Sequence, residues 1–195
     1  MDYSDWRTIV GLSSGFILCG ANIIYFVAIL KGTTRPNRAT WFMLATVSLV
    51  IAASYRDLGA GPTLYAAIGA SVGTIAVAVL TIWYGTGVNS NFDRICILTA
   101  GLSLLIYFLS SNSLMTLIAS LAIDAAAITP TIKHAIETPE EEDLLAWNLT
   151  LLGDLLAVIA INAWTIDIAL YPLYMVAING LVVVFLYHPL FRKTP

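Results

Sequence analysis

Two stretches of this chain carry the same order of polar and aromatic residues: NIIYFVAILKGTTRPNRATWFMLATVS at residues 22–48, and DAAAITPTIKHAIETPEEEDLLAWNLTLLGD at residues 124–154. The shared positions are, in order, Asn22 and Asp124, Lys31 and Lys133, Pro36 and Pro139, Trp41 and Trp147, and Ser48 and Asp154. A Leu-Tyr pair opens the next apolar run after each stretch. The pattern therefore indicates an internal repeat of about a hundred residues.

The composition indicates an all-α membrane protein. The chain is 59% hydrophobic and 11% charged, with a mean hydropathy of +0.86, which excludes an ordinary soluble domain. The alternation expected of barrel strands is absent, and only helices satisfy an isolated backbone in lipid. Seven runs are apolar enough to span a bilayer, and we place them at residues 9–30, 40–55, 63–84, 95–110, 114–132, 144–164 and 168–187. Thr138 and Glu141 form a capping-box pattern that predicts the start of the sixth helix.

The odd number of spans follows from the repeat. Each copy covers three spans, which would leave the second copy inverted, and the extra span at 95–110 restores its orientation. We therefore predict a 3+1+3 plan, in which two parallel three-helix bundles are related by an axis along the membrane normal. The first repeat is residues 1–88, the linker helix 89–111 and the second repeat 112–195.

The basic residues predict the orientation. With the N-terminus outside, seven of the nine lie on the cytoplasmic side, and only Arg7 and Arg56 lie outside. We expect a multi-pass protein of the cell (inner) membrane, with a cytoplasmic C-terminus.

The charge also indicates the kind of partner. With a net charge of -3, we expect no basic face that could bind nucleic acid. The expected partners are a small-molecule substrate and membrane lipids, and homo-oligomerisation stays open.

Polar residues in the apolar runs are the candidate site. Asp124 and Asp154 lie near mid-span, where an ionised carboxylate is costly unless it is paired or hydrated. No lysine or arginine lies at that depth in the sequence, so they either face water or a ligand, or are protonated. The second alternative makes them candidate proton-coupling groups. Asn22, Ser48 and Asn179 are the remaining polar candidates for substrate binding, and the alternative is that all five bond across helices and hold the bundle together.

Three further features have both a structural and a functional interpretation. Trp41 and Trp147 begin spans at the cytoplasmic interface, which is typical of an aromatic belt but also fits a stacking or gating role in substrate binding. Pro130 interrupts span five and is a candidate hinge. Gly69 and Gly73 permit a close approach of another helix to span three.

The stretch from Asp124 to Ile161 resembles a PQ-loop repeat. That family has a helix ending in Pro-Gln, then a basic residue, a short polar loop and a helix that often carries Gly-Asp. Here Pro130-Thr131 and Gly153-Asp154 fill those places, with threonine instead of glutamine. The 3+1+3 plan and the chain length are similar to the SWEET-like transporters.

The resemblance implies alternating access to a central site between the two bundles. In sugar-carrying members an asparagine of the last helix contacts the substrate, and Asn179 matches it, whereas the first copy has Ala70-Ser71 at that place. In proton-coupled members a membrane aspartate near the motif is functional, which matches Asp124 or Asp154. The implied function is transport of a small polar solute such as a sugar, an amino acid or a vitamin. Other relatives are receptors, so a non-transporting receptor, sorting or assembly protein is the alternative.

An enzyme is not expected. Leu151-Leu152-Gly153-Asp154 lacks the Gly-x-Gly-Asp of intramembrane aspartyl proteases, and no acid/base constellation assembles around the serines. A retinal protein would need a lysine in its last helix, which this chain lacks. Cys19 and Cys96 share no metal or redox spacing, so we predict neither a metal site nor a cofactor.

Overall fold

The computed structural model describes residues 5–32, 36–86, 90–139 and 142–192, and these residues form seven α-helices. The helices are α1 (Trp6–Leu30), α2 (Arg38–Asp57), α3 (Leu64–Tyr84), α4 (Asn91–Leu109), α5 (Ser113–Glu137), α6 (Leu144–Ile159) and α7 (Ile166–Arg192). Six of them are long and apolar enough to cross a bilayer. By helix length and hydropathy, the chain is an integral multi-pass membrane protein.

The sixth helix departs most from the sequence prediction. The apolar run was placed at residues 144–164, but α6 ends at Ile159 and has 16 residues, about 24 Å at 1.5 Å per residue. It is therefore shorter than the six candidate spans. Its N-cap is Asp143, which accepts the amide of Ala146 at 2.9 Å, so Thr138 was the wrong choice of cap. Glu141 lies outside the described residues.

Local signals explain several helix boundaries. Asn37 caps α2 by accepting the amide of Thr40 at 2.9 Å. Ser90 and Asp93 form a complete capping box at the start of α4. Gly32 and Gly59, which follow the ends of α1 and α2, have φ of 71° and 78°, a conformation that glycine adopts without a steric penalty.

The helices pack in two groups. In the first, α3 contacts both α1 and α2, and in the second, α7 contacts both α5 and α6. Between the groups, α1 packs on α6 and α2 packs on α5, while α4 lies against α2 and α5. We refer to α1–α4 as the first half and to α5–α7 as the second half.

The two ends of the bundle differ in composition. The lysine end carries Lys31 and the starts of α2, α4 and α6. There Asn37 donates to Asp93 at 2.6 Å, so the starts of α2 and α4 lie side by side. At the opposite end, which we call the tyrosine end, the Tyr55 hydroxyl donates to the carbonyl of Ile168 at 2.6 Å. Arg35 and Lys193, which were counted toward the orientation, lie outside the described residues, as does the predicted domain boundary at 88/89.

The contact between α1 and α3 is made by backbone. A Cβ on Gly69 would overlap the backbone of Gly15, and a Cβ on Gly11 would overlap the carbonyl of Pro62. A Cβ on Gly73 would lie 2.7 Å from Nδ2 of Asn22. The close helix approach predicted for Gly69 and Gly73 is therefore confirmed.

Candidate functional site

The second half contains a buried carboxylate bonded to an amide. Asp154 of α6 is 2% exposed, and its Oδ2 accepts from Nδ2 of Asn179 on α7 at 2.8 Å. The preceding residue, Gly153, lies against Leu18 of α1, and its carbonyl accepts from Oγ of Ser14 at 2.7 Å. Asp154 therefore sits beside the contact between the two halves, while its own bond lies within the second half.

The second predicted carboxylate, Asp124, also accepts a hydrogen bond from a residue of α7. Asp124 of α5 is half-buried, and its Oδ2 accepts from the hydroxyl of Tyr174 on α7 at 2.9 Å. Helix α7 thus supplies one donor to each carboxylate, from positions that face α5 and α6.

Neither carboxylate has a basic partner within the part of the chain that the structure describes. The ion pairs found there are Arg56 with Asp57 at 3.0 Å and Lys133 with Glu137 at 3.8 Å, both on exposed side chains. The same residues contain no group of three histidine, cysteine, aspartate or glutamate side chains that could hold a metal ion. Within the described residues, the hydrogen-bond donors to the two carboxylates are therefore neutral groups, the Tyr174 hydroxyl and the Asn179 amide.

The first-half candidates are bonded within their own helices. Asn22 donates from Nδ2 to the carbonyl of Leu18 at 3.1 Å, and Ser48 donates to the carbonyl of Ala45 at 3.0 Å. The carbonyl of Ser48 accepts from Oγ of Ser71 on α3 at 2.9 Å. The structure thus brings Asp154 and Asn179 into direct contact, but no hydrogen bond between described residues joins Asn22 or Ser48 to either carboxylate.

The two tryptophans lie in separate apolar clusters. Trp41 packs with Ile29, Val77 and Leu80, and its ring lies 4.8 Å from that of Tyr25. The other cluster, in the second half, consists of Trp147 and its neighbours Ala135, Val182 and Leu186. Nε1 of Trp147 also donates to Glu142 at 2.9 Å. The two rings therefore belong to different clusters of the described structure, and their role in substrate binding stays a prediction.

The predicted hinge lies within a continuous helix. Helix α5 extends from Ser113 to Glu137 and includes Pro130. The side chain of Pro130 lies outside the described part of the structure, and its role as a hinge stays a prediction.

Two polar positions were missed by the sequence analysis. Tyr55 of α2 is fully buried, and its hydroxyl lies 2.6 Å from Oγ1 of Thr63 as well as from the carbonyl of Ile168. Asp93 of α4 is 2% exposed and accepts from Asn37, and from the amide and hydroxyl of Ser90 at 2.8 Å each. The Ser90-x-x-Asp93 pattern signals a helix cap and could have identified this carboxylate. For Tyr55, the sequence signal was weaker: it is a tyrosine at the end of the second apolar run.

An apolar groove of about 200 Å³ lies elsewhere, between α1 and α3. Its floor includes Gly15 and Gly69, and its rim includes Phe16, which is 77% exposed. None of the predicted site residues lines this groove. Two further lining residues, Ile68 and Val72 of α3, are exposed apolar side chains.

No protein-family model matches this chain, and comparison with curated proteins and with solved structures likewise finds no match.

Proposed function

We propose that this membrane protein is a transporter that moves a small polar solute, such as a sugar, an amino acid or a vitamin, by alternating access. Asp124 and Asp154 serve as the proton-coupling groups, and Asn22, Ser48, Asn179, Trp41 and Trp147 contribute to substrate binding. The protein acts without catalysis and without a cofactor. It resides in the cell membrane with the lysine end in the cytoplasm.

The observation that carries the proposal is the pair of membrane carboxylates without a basic partner among the described residues. A buried ion pair would neutralise such groups permanently, whereas Asp124 and Asp154 have only a tyrosine and an amide as hydrogen-bond donors. Carboxylates of this kind commonly mark ion or substrate pathways. Asp154 adjoins Gly153, which contacts α1, so a change in the contact between the halves would reach the carboxylate directly.

The helix contacts support a 3+1+3 arrangement. Exchanging α1, α2 and α3 with α5, α6 and α7 turns the contact of α1 with α6 into that of α5 with α2, and both exist. The contacts of α3 with α1 and α2 likewise become those of α7 with α5 and α6. A two-fold relation of this kind is what two parallel repeats around a common pathway would produce.

One observation favours the alternative of a receptor, sorting or assembly protein without transport. Both carboxylates are already bonded to residues of α7, as polar groups that hold a static bundle together would be. The two functions therefore have to be separated by measurement of flux.

The test uses purified protein in liposomes loaded with a pH-indicator dye. Uptake of a panel of radiolabelled sugars, amino acids and vitamins is measured with and without a pH gradient. We expect uptake of at least one solute, accompanied by acidification. Asp124→Asn and Asp154→Asn should abolish uptake or uncouple it from the proton, while Glu137→Gln, which alters an exposed carboxylate on the same helix as Asp124, serves as the control.

Two results would contradict the proposal. If both interior variants transport like the parent at every pH, the carboxylates have no role in coupling. If a solute binds without flux, the protein is a receptor. Circular dichroism of each variant establishes that it retains its helical content.

A further inference from the structure

The apolar core is shared by the two halves mainly toward one end. The largest buried cluster contains residues of both halves, and its second-half members all lie toward the tyrosine end: Leu117, Leu121, Ala157, Ile161, Ile168, Ala169 and Tyr171. At the lysine end each half has a cluster of its own, one around Trp41 and the other around Trp147. The buried residues shared by the two halves therefore concentrate toward the tyrosine end, whereas the clusters around Trp41 and Trp147 each belong to one half.

A small number of polar contacts joins the halves at the tyrosine end. The Tyr55 hydroxyl bridges Thr63 of its own half and the carbonyl of Ile168 in the other half, at 2.6 Å each. The ring of Tyr55 lies 5.0 Å from that of Tyr171. Beside them, Gly61 lies so close to Asn162 that a Cβ on the glycine would be 2.8 Å from the amide nitrogen.

Helix α4 is attached to the first half at both of its ends. At the lysine end Asn37 donates to Asp93 at 2.6 Å, and at the tyrosine end Tyr107 donates to Asp57 at 3.3 Å. The first half can therefore move as a four-helix body relative to α5–α7.

We propose that the contacts at the tyrosine end form a latch between the halves, and that the Tyr55 hydroxyl is its principal bond. The latch consists of Tyr55, Thr63, Ile168, Tyr171 and the contact of Gly61 with Asn162. The latch is closed in this structure, in which each half has its own apolar cluster toward the lysine end. When it is released, the halves part at the tyrosine end and close at the lysine end. This inference rests on the proposed alternating access and identifies the residues that control it.

The physical basis is that the latch depends on weak, exchangeable bonds. A hydrogen bond between membrane helices contributes little to stability on average, so either arrangement is accessible to a protein with two packing states. The contact between α1 and α3 is different, because it is made by glycine backbone and cannot be exchanged for another packing. We therefore expect α1 and α3 to move together as part of the first half.

The test is a distance measurement by pulsed EPR on protein in lipid nanodiscs, without any added solute. Cys19 and Cys96 are first replaced by alanine. One spin-label pair, at positions 31 and 133, reports on the lysine end, and a second pair, at positions 56 and 164, reports on the tyrosine end. All four side chains are exposed, so labelling should not disturb the packing.

Tyr55→Phe should raise the population of a second state about three- to tenfold, which is the effect of losing one hydrogen bond. In that state the tyrosine-end distance lengthens and the lysine-end distance shortens. The matched control is Tyr187→Phe, which removes a hydroxyl that accepts from Asn148 within the second half and should leave both distances unchanged.

The latch is overturned if Tyr55→Phe leaves both distributions as in the parent, or if both ends widen together. A variant that is too unstable to measure is replaced by Thr63→Val, which removes the other hydroxyl of the bridge and carries the same expectation. Because no solute is present, the result does not depend on transport. A working latch in a protein without flux would contradict the proposed function alone, and flux without the reciprocal distance change would contradict the latch alone.

Discussion

The first three helices and the last three have the same pattern of neighbours but are held together differently. In the first group, Gly15 and Gly69 bring the backbones of α1 and α3 into contact. In the second group, α7 is joined to its neighbours by side-chain bonds, Tyr174 to Asp124 and Asn179 to Asp154. Among the described residues, the contact of α1 with α3 is thus made by small residues, whereas α7 is bonded to both of its neighbours through carboxylates; small residues and polar side chains both serve the association of membrane helices.

The two kinds of contact differ in what can change in them. A glycine contact has one geometry and no chemistry, so it fixes the helices it joins. A carboxylate bonded to a neutral donor can change its proton content or its partner without a change in the helices. The paired positions of the predicted repeat therefore make different contacts: Ser48 offers a carbonyl to Ser71, whereas Asp154 offers a carboxylate to Asn179.

The largest effect is expected from filling the backbone contact. Gly15→Leu should lower the free energy of unfolding by about 3 kcal/mol or more, because its Cβ would overlap the backbone of Tyr65. The control is Gly20→Leu on the same helix, since no atom lies within 4 Å of a Cβ there. Unfolding in mixed micelles measures both. Equal losses in the two variants would show that the glycine contact does not hold the first group together.

A smaller effect is expected from breaking the polar link of the second group. Asn179→Leu should cost about 1–3 kcal/mol, because it leaves Asp154 buried without its donor. Adding Asp154→Leu should recover part of that loss, which a double-mutant cycle measures as a coupling energy. Asn22→Leu is the matched change in the first group and should cost less, since Asn22 donates only to the carbonyl of Leu18 within its own helix. Additivity of the two second-group changes would contradict the link.

The smallest effect is expected from the serine counterpart of that link. Ser71→Ala should lower the free energy of unfolding by about 0.6 kcal/mol, the average for a hydrogen bond between membrane helices. The same unfolding assay applies, with Thr99→Ala on α4 as the control, because Thr99 is exposed and donates to the carbonyl of Ile95 in its own helix. A loss as large as that of Asn179→Leu would mean that the two groups are less different than their side chains indicate.

The sequence was sufficient for the helices and for part of the site. Long apolar runs identify membrane helices because lipid allows few other structures, and all seven runs correspond to helices in the structure. The end of α6 was misplaced because Ala160 and Ile161 continue the apolar run beyond the last helical turn. The pairing of Asp154 with Asn179 was not foreseen as a bond, since spacing along the chain does not give the rotation of one helix against another.

Tyr55 shows more clearly which contacts cannot be predicted from the sequence. Its hydroxyl bonds to the carbonyl of Ile168, a backbone atom with no sequence signature, more than a hundred residues along the chain. The repeat draws attention to Tyr174 and Asp124 but not to this contact, which has no counterpart in the duplicated pattern. Bonds from a side chain to a distant backbone carbonyl become visible only when the helices are placed in space.

The shortness of α6 has a consequence for the surrounding lipid. At about 24 Å it is shorter than a hydrocarbon layer of about 30 Å, whereas its longer neighbours α1 and α7 can cross such a layer. Leu152 and Leu155 are exposed on one side of α6. On that side either the bilayer becomes thinner locally, or the turn with the exposed Trp164 lies in the membrane interface. Bilayer thickness therefore acts on the helix that carries Asp154, so the length of the acyl chains bears directly on that carboxylate.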